Sequence, residues 1–270
     1  MRLPAPIPLR NAETDHVWVV VPFSRPENAS RVLENFVRQR FPFKKLVVVA
    51  NGRALGDPRS GLLERAGALM LTSDPHQSTA KNIALSEVRK RGGGFTAVMD
   101  DDDWYGPQYL TEACGYAKTC DVVGKGRHFV SVDGNLWLCS REQRNSDGDD
   151  WITGGTIACW AEAAPEYALV KWGEDATFCR AAITRGMRVR KTDLYHYLYR
   201  RDGATDHAWP ATAEKLRRVE SARGALDLGP EDLDVVAGRK LDVTTKLLSS
   251  QEDIDTLVPP PPPQVTHVRS

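Results

Sequence analysis

The first half of the chain alternates short apolar runs with amphipathic stretches. Residues 17–21 and 46–50 are continuous, largely β-branched runs, which are typical of strands buried on both faces. Between them, residues 28–40 carry apolar side chains at helical spacing. This pattern predicts a βαβ unit, and with it a parallel sheet wrapped by helices.

The same alternation continues as far as residue 118. It predicts strands at 68–72 and 95–99 and helices at 78–91 and 107–118. Four consecutive aspartates, 100–103, come directly after the second of these strands. Ligands of open α/β sheets bind beyond the carboxyl ends of the strands, so the acidic run and the Asn51–Gly52 turn fall where a nucleotide is expected.

The second half has a mixed pattern. Strands are predicted at 122–125, 129–132 and 136–138, with Asp133–Gly134 as a tight turn between the last two. A helix is predicted at 175–185, and polar helices from about 211 to 258. The expected fold is α/β, a mostly parallel sheet flanked by helices, with a small helical C-terminal extension.

Composition narrows the class of protein. The chain has 270 residues, with 36 Lys plus Arg balanced by 36 Asp plus Glu, so no overall charge attracts it to nucleic acid or anionic membrane. No apolar run approaches the roughly 20 residues that span a bilayer. The five cysteines form no CxxC pair, which favours reduced thiols. We therefore expect a cytoplasmic protein without membrane insertion.

The four aspartates at 100–103 repel one another unless something compensates their charge. Magnesium and manganese prefer carboxylate oxygens together with substrate phosphates, so a carboxylate cluster at a strand end can anchor a metal–diphosphate complex. The alternative is a solvated acidic loop in which Asp103 caps the next helix.

Four motifs occur in an order that resembles a known family: residues 19–25 (VVVPFSR), 47–52 (VVVANG), 80–82 (AKN) and 98–104 (VMDDDDW). The series resembles family-2-like inverting glycosyltransferases with the GT-A fold, and continues to Trp172-Gly173-Glu174-Asp175. It covers residues 15–205. We expect an N-terminal arm at 1–14, the glycosyltransferase domain at 15–205, a helical extension at 206–258 and a proline-rich flexible tail at 259–270.

The resemblance implies a set of positions that bind a nucleotide-sugar donor: Pro22, Phe23, Arg25, Asn51, Lys81, Asp100, Asp101, Arg200 and Arg201. Residues 22–25 and Asn51 would line the nucleobase pocket, and Asp100 would bind the ribose. Asn51 stands where many relatives have an aspartate that contacts uracil, and uridine is the preferred base.

The resemblance also implies a metal cofactor, Mn²⁺ or Mg²⁺. Asp102 would be the carboxylate ligand of this ion, which acts as a Lewis acid for the departing diphosphate. His196, in a late aromatic segment, is a candidate further ligand. A histidine between aromatic residues is as often an ordinary half-buried strand residue.

Glu174 and Asp175 match the acidic pair that is catalytic in the family. An acceptor hydroxyl needs a carboxylate to take its proton, and Asp175 is the expected general base. Direct displacement then inverts the anomeric configuration. The alternative role for Asp175 is a helix N-cap.

Five residues surround the presumed acceptor side: Trp151, Gly154, Gly155, Thr156 and Trp172. Aromatic faces and exposed glycine backbone suit sugar or base stacking, although tryptophan is more often part of a core. A basic stretch between Arg185 and Arg201 could contact the donor diphosphate, follow a polyanionic acceptor or lie in solvent.

The sequence therefore predicts an inverting transfer of sugar from a nucleoside diphosphate to an acceptor hydroxyl, and a soluble glycan or protein is the favoured acceptor. A hydroxylated nucleic-acid base is the alternative acceptor. Two other classes compete: a nucleotidyltransferase, which needs no Glu174–Asp175 pair, and a catalytically inactive binding module, against which Asp102 and Asp175 argue.

Overall fold

The computed structural model describes residues 16–140, 152–170, 173–201, 214 and 225–238. The strands are β1 (Val17–Phe23), β2 (Lys44–Ala50), β3 (Leu69–Thr72), β4 (Phe95–Val98), β5 (Trp104–Tyr105), β6 (Val122–Lys125), β7 (Arg127–Val132), β8 (Asn135–Ser140), β9 (Ala158–Trp160), β10 (Val189–Thr192), β11 (Tyr197–Arg201) and β12 (Ala225–Pro230). The helices are α1 (Ala29–Arg38), α2 (Ser60–Arg65), α3 (Gln77–Lys90), α4 (Tyr109–Ala117), α5 (Glu174–Thr184) and α6 (Leu233–Val236).

Seven strands form the large sheet, in the order β10-β6-β9-β4-β1-β2-β3. All of them are parallel except β9, which runs antiparallel to both of its neighbours. The apolar runs of β1 and β2 are buried on both faces, as a central parallel strand requires. The carboxyl ends of the parallel strands share one edge, called here the carboxyl edge; the opposite edge is the amino edge.

Two apolar clusters cover the two faces of this sheet. One contains β-strand residues such as Val19 and Val48 together with residues of α1 and α4. The other contains Val20 and Val47 with residues of α3 and α5. Neighbouring residues of one strand thus point into different clusters, which is the alternation expected of a sheet covered by helices on both sides.

A second sheet has the order β12-β8-β7-β11-β5. β11 pairs antiparallel with β5 and parallel with β7. Because β5 starts one residue after the acidic run, this pairing brings the end of β11 beside those aspartates. The second sheet therefore contributes its own side chains to the carboxyl edge of the large sheet.

Most predicted elements are confirmed within a residue or two of their bounds. The mostly parallel α/β sheet flanked by helices is present, and the turn between β7 and β8 has the positive φ values of 51° at Asp133 and 76° at Gly134 that its sequence predicted. The short helix α2 was missed, since its six residues are too few for a clear periodicity.

Residues 225–230 depart from the predicted helical extension. They form the strand β12, paired antiparallel with β8, and within the described residues the single turn α6 follows it. Sheet pairing with β8 determined the structure here, which a local pattern cannot predict. The N-terminal arm (1–14), most of 206–258 and the tail (259–270) lie outside the described residues, so the domain boundaries stay predictions.

Among the helices that the structure describes, none has the length and apolar character needed to cross a bilayer. A cytoplasmic location stays a prediction.

Tyr105 joins the end of β4 to the loop before β9. Its hydroxyl accepts a hydrogen bond from the backbone N–H of Asp100 and donates one to the carbonyl of Gly155, both at 2.7 Å. The side chain is fully buried. One hydroxyl therefore satisfies two backbone groups at the carboxyl edge.

We expect Tyr105→Phe to lower the free energy of unfolding by about 1–3 kcal/mol, because both backbone groups lose their partner in a buried place. Urea unfolding measures this change. Tyr116→Phe, on the half-buried face of α4, is the matched control and should change stability by less than about 0.5 kcal/mol. Equal losses in the two variants would contradict the role given to Tyr105.

Candidate functional site

The loops after β1 and β2 form one side of the carboxyl edge. The N–H of Asn51 donates to the carbonyl of Phe23 over 2.9 Å, and Pro22, Phe23 and Asn51 are all buried. The ring of Phe23 is 0% exposed and packs in the apolar core. The prediction that this ring lines a nucleobase pocket is therefore not supported, because an inward-facing side chain on a buried strand belongs to the core. Asn51 remains at the expected edge.

Asp100 and Asp101 occupy different environments. Asp100 is half-buried, and its Oδ1 accepts a hydrogen bond from Gln77 over 3.1 Å. Desolvation, followed by the charges of Asp102 and Asp101, raises its pKa to about 6 although Lys81 opposes the shift. Asp101 is buried and accepts from the backbone N–H groups of Ser24 and Arg25 at 2.8 and 3.0 Å. Asp101 therefore holds the loop after β1.

Asp102 and Asp103 face the second sheet. The Oδ2 of Asp102 lies 3.2 Å from a guanidinium nitrogen of Arg25 and 3.3 Å from one of Arg201. Asp103, fully buried, accepts from the Tyr197 hydroxyl at 2.7 Å and from the backbone N–H of Arg200 at 3.1 Å. Burial and the charge of Asp102 raise the pKa of Asp103 well above its usual range. Asp103 is thus held by a short hydrogen bond inside the fold, whereas the contacts of Asp102 to the two arginines are longer ion pairs that a bound ligand could replace.

Lys81 interacts with both acidic segments that the sequence singled out, the aspartates at 100–103 and the Glu174–Asp175 pair. It lies on α3 with its side chain 1% exposed, and its Nζ is 3.4 Å from Oε1 of Glu174 at the start of α5. The ring of Tyr167 lies beneath the same ammonium, 5.1 Å away. The charge of Lys81 also acts on Asp100. The lysine thus lies between the end of β4 and the first turn of α5.

Gly154 and Gly155 lie between Asp175, the expected general base, and Asp100, the expected ribose-binding residue. A Cβ on Gly154 would lie 3.3 Å from the Cβ of Asp175, and a Cβ on Gly155 would lie 2.7 Å from Oδ2 of Asp100. The absence of side chains at these two positions lets both acids approach one short stretch of backbone. Asp175 itself is in the first turn of α5, where Gly173 is the N-cap residue.

Thr156, the third described residue of the predicted acceptor side, does not join this group. Thr156 is buried, where its hydroxyl donates to the Thr153 carbonyl at 2.8 Å and accepts from the N–H of Lys125 at 2.9 Å. It is therefore engaged within the loop, and the prediction that it contacts an acceptor is not supported. Trp151 and Trp172 lie outside the described residues.

The predicted metal ligands are not brought together. The N–H of Gly106 donates to the His196 carbonyl, and the N–H of His196 donates to Val236, so His196 lies at the start of β11, whereas Arg201 at its far end reaches Asp102. Within the described residues, no group of three or more His, Cys, Asp or Glu side chains could hold a metal. Asp102 is a single hard ligand near a predicted phosphate site, which fits an ion that takes its other ligands from a diphosphate and water.

The basic stretch from Arg185 to Arg201 does not form one surface. Arg188 precedes β10 at the amino edge, where it makes a bidentate pair with Asp121 at 3.0 Å for both contacts. Arg200 and Arg201 end β11 at the carboxyl edge, and Arg200 pairs with Glu231 at 2.6 Å. Arg188 and the pair Arg200–Arg201 thus lie at strands of different sheets and at opposite edges. Arg200 and Arg201 are the members of the stretch that contact the acidic run.

Three polar residues that support the site were not predicted. Gln77 holds Asp100, Arg31 donates to the carbonyl of Asp102 at 2.8 Å, and Asn35 donates to the carbonyl of Asp103 at 2.9 Å. Arg31 and Asn35 lie on α1, four residues apart and hence on one helix face. That spacing was a possible signal, but nothing local indicated which loop this face meets.

Neither the family models nor the curated proteins contain a match to this chain. Solved structures do match. S. aureus TarS residues 1–349 in complex with UDP-GlcNAc is 17% identical, with 78% of this chain and 65% of that chain covered and a TM-score of 0.50. The mannosyltransferase PcManGT from Pyrobaculum calidifontis, in complex with GDP-Man and Mn²⁺, is 14% identical over 82% of this chain and 68% of its own, with a TM-score of 0.49.

Glucosyl-3-phosphoglycerate synthase from Mycobacterium tuberculosis, in complex with Mn²⁺, UDP and phosphoglyceric acid, is 14% identical over 71% of this chain and 73% of its own, with a TM-score of 0.49. The chain spans 65% of the TarS fragment, less than two thirds of its length. These structures are GT-A-type glycosyltransferases. At 17% identity and a TM-score of 0.50, the likeness to TarS shows the fold alone, and the predicted GT-A fold is confirmed.

The raised pKa of Asp100 predicts how stability depends on pH. The folded pKa of about 6 lies above the ordinary aspartate pKa of 3.8, so the penalty for ionising this carboxyl in the folded state is absent below about pH 4 and complete above about pH 6. Asp100→Asn removes the penalty. We expect this variant to exceed the wild type in unfolding free energy by about 1–3 kcal/mol at pH 7, with the gain disappearing toward pH 4.

Thermal unfolding from pH 4 to 8 in excess chelator measures this difference. A gain that stays constant over the whole pH range would contradict the environment described for Asp100.

Proposed function

We propose that this chain is a metal-dependent inverting glycosyltransferase that moves a sugar from a nucleoside diphosphate to an acceptor hydroxyl. The observation that carries the proposal is the pair of glycines between two acids. Asp100, from the strand end, and Asp175, from the start of α5, approach adjacent residues of the same loop. A donor bound beyond β4 thus has a second carboxylate close to its sugar.

The donor site is built from the carboxyl edge of the large sheet. Asn51 and the loop held by Asp101 would surround the base, with uridine preferred, and Asp100 would accept hydrogen bonds from the ribose hydroxyls. Gln77 and Lys81 fix the position of Asp100 from α3. Arg200 and Arg201 reach the same edge from β11 and suit the diphosphate.

Asp102 is the residue that would hold Mn²⁺ or Mg²⁺. When bound, the ion supplies Lewis-acid stabilisation of the charge that develops on the departing diphosphate. We leave His196 out of the ligand set, because its backbone pairs with Gly106 and Val236 at the other end of β11.

Asp175 would act as the general base. It takes the proton of the acceptor hydroxyl while that oxygen forms a bond to the anomeric carbon and the bond from this carbon to the diphosphate oxygen breaks. Attack from the face opposite the leaving group inverts the configuration. Glu174, tied to Lys81, holds the first turn of α5 beside the donor site.

The favoured acceptor is a soluble glycan or protein. Arg188, which the sequence placed in one basic stretch with Arg200, is engaged with Asp121 at the amino edge. This separation removes the main reason to expect a polyanionic acceptor such as a nucleic acid. A nucleotidyltransferase is distinguished by its product, because it would release pyrophosphate rather than a nucleoside diphosphate.

The function is tested with a panel of UDP- and GDP-sugars and Mn²⁺, scored by the nucleotide released, followed by a screen of glycan and protein acceptors. Release of a nucleoside diphosphate that increases with acceptor supports the proposal. Pyrophosphate release, or no turnover of any donor under conditions where the folded protein is verified, argues against it.

We expect Asp175→Asn to lower the transfer rate by about a hundredfold or more, because the proton acceptor is lost, with donor affinity unchanged. Calorimetry gives the affinity and nucleotide release gives the rate. Glu64→Gln, which removes a carboxylate from the exposed surface of α2, is the control and should behave as wild type. Parallel loss of donor affinity, or a product that retains the donor configuration, contradicts the assignment.

We expect Asp102→Asn to abolish the metal-dependent rate while the fold survives, since a neutral amide is a poor ligand for a hard divalent ion. Turnover is measured across a Mn²⁺ titration, with circular dichroism as the check on folding. Turnover that persists in excess chelator, or an unimpaired variant at saturating Mn²⁺, would show that Asp102 does not hold the metal.

A further inference from the structure

Two guanidinium groups from different sheets hold the same oxygen of Asp102. Oδ2 is 3.2 Å from Arg25, which follows β1, and 3.3 Å from Arg201, at the end of β11. The Asp102 side chain is 9% exposed. The atom proposed to bind the cation is therefore already compensated by positive charge.

The two arginines are anchored to different degrees. Arg25 makes a second, shorter contact of 2.7 Å to Asp101, whose other bonds hold the loop after β1. Arg201 reaches Asp103 only at 3.4 Å, donates to the carbonyl of Arg200 and lies over the ring of Tyr199, 3.1 Å from its centroid. The buried Nε of Arg201 has no hydrogen-bond partner among the described residues. Arg25 thus has the shorter carboxylate contact, and Arg201, with ion pairs of 3.3 and 3.4 Å, is the partner that a diphosphate can draw away from Asp102.

The two arginines oppose the binding of a cation to Asp102. A divalent ion on Asp102 would lie close to two guanidinium groups in a place with little water, where like charges repel strongly. A diphosphate brings negative charge, and its oxygens match the arginine fork. Transfer of Arg201 from Asp102 to the diphosphate relieves the repulsion and leaves Oδ2 for the cation.

We propose that Arg201 makes the cation and the nucleotide diphosphate bind cooperatively. Arg201 pairs with Asp102 until a diphosphate replaces Asp102 as its partner, and Asp102 then binds the cation. Arg201 is then a positioning residue that acts through Asp102. The coupling is reciprocal, because each ligand must raise the affinity of the other by the same factor. This inference rests on the proposed function, since it requires a nucleoside diphosphate beside Asp102.

Electron paramagnetic resonance of free Mn²⁺ tests the inference without turnover. The ion is titrated into the full chain alone, with saturating UDP and with saturating GDP, and a protein-free titration corrects for chelation by the nucleotide. For wild type we expect weak binding of Mn²⁺ alone and an affinity at least about tenfold higher with one of the nucleotides.

Arg201→Gln should bind Mn²⁺ alone at least about threefold more tightly than wild type and lose the part of the nucleotide's gain that Arg201 supplies, whereas the gain from direct coordination by the diphosphate remains. Arg201→Lys, which keeps the charge without the fork, should lie between the two. Arg185→Gln, at the exposed end of α5 on the amino edge, removes the same charge and should match wild type.

Equal Mn²⁺ affinity with and without bound nucleotide, or Arg201 variants that match wild type in both titrations, would overturn the inference while leaving the glycosyltransferase proposal intact. Failure of both nucleotides to bind, with or without Mn²⁺, would overturn the proposed function and the inference with it.

Discussion

The site depends on how the protein compensates four consecutive carboxylates at the end of β4. Water cannot do this fully, because three of the four side chains are buried. Each has its own set of partners, although Arg25 and Arg201 each reach two of the four: Gln77 and Lys81 for Asp100, the loop after β1 for Asp101, two arginines for Asp102, and Tyr197 with Arg200 for Asp103. A buried charge without such a partner is strongly unfavourable, so these contacts constrain all surrounding elements.

This compensation joins the two sheets. The large sheet supplies β4 and the loop after β1, whereas β11 of the second sheet supplies Arg200, Arg201 and Tyr197. The short strand β5 makes the connection, since it begins immediately after the acidic run and pairs with β11. The same contacts that stabilise this junction therefore place cationic groups where a diphosphate is proposed to bind.

The four aspartates also show why residue type did not determine role. From the sequence, Asp101 could bind a donor and Asp103 could cap a helix, but Asp101 holds a loop and Asp103 binds Tyr197. Phe23 is similar: it lies in a motif of the expected donor site, yet its ring is in the core. Neighbouring side chains point to different surroundings, in the turn at residues 101–103 as on the strand that contains Phe23, and only the packed neighbours determine which surroundings those are.

The sequence by itself determined the alternation of strands and helices through residue 118, the hairpin at Asp133–Gly134 and the position of the acidic run at a strand end, because periodicity, turn conformation and chain order are local properties. Tertiary structure alone decided the pairing of β12 with β8, the separation of Arg188 from Arg201, and the convergence of Asp100 and Asp175 on two adjacent glycines. These depend on contacts between residues far apart in the chain, and such contacts form only when the sheets pack together.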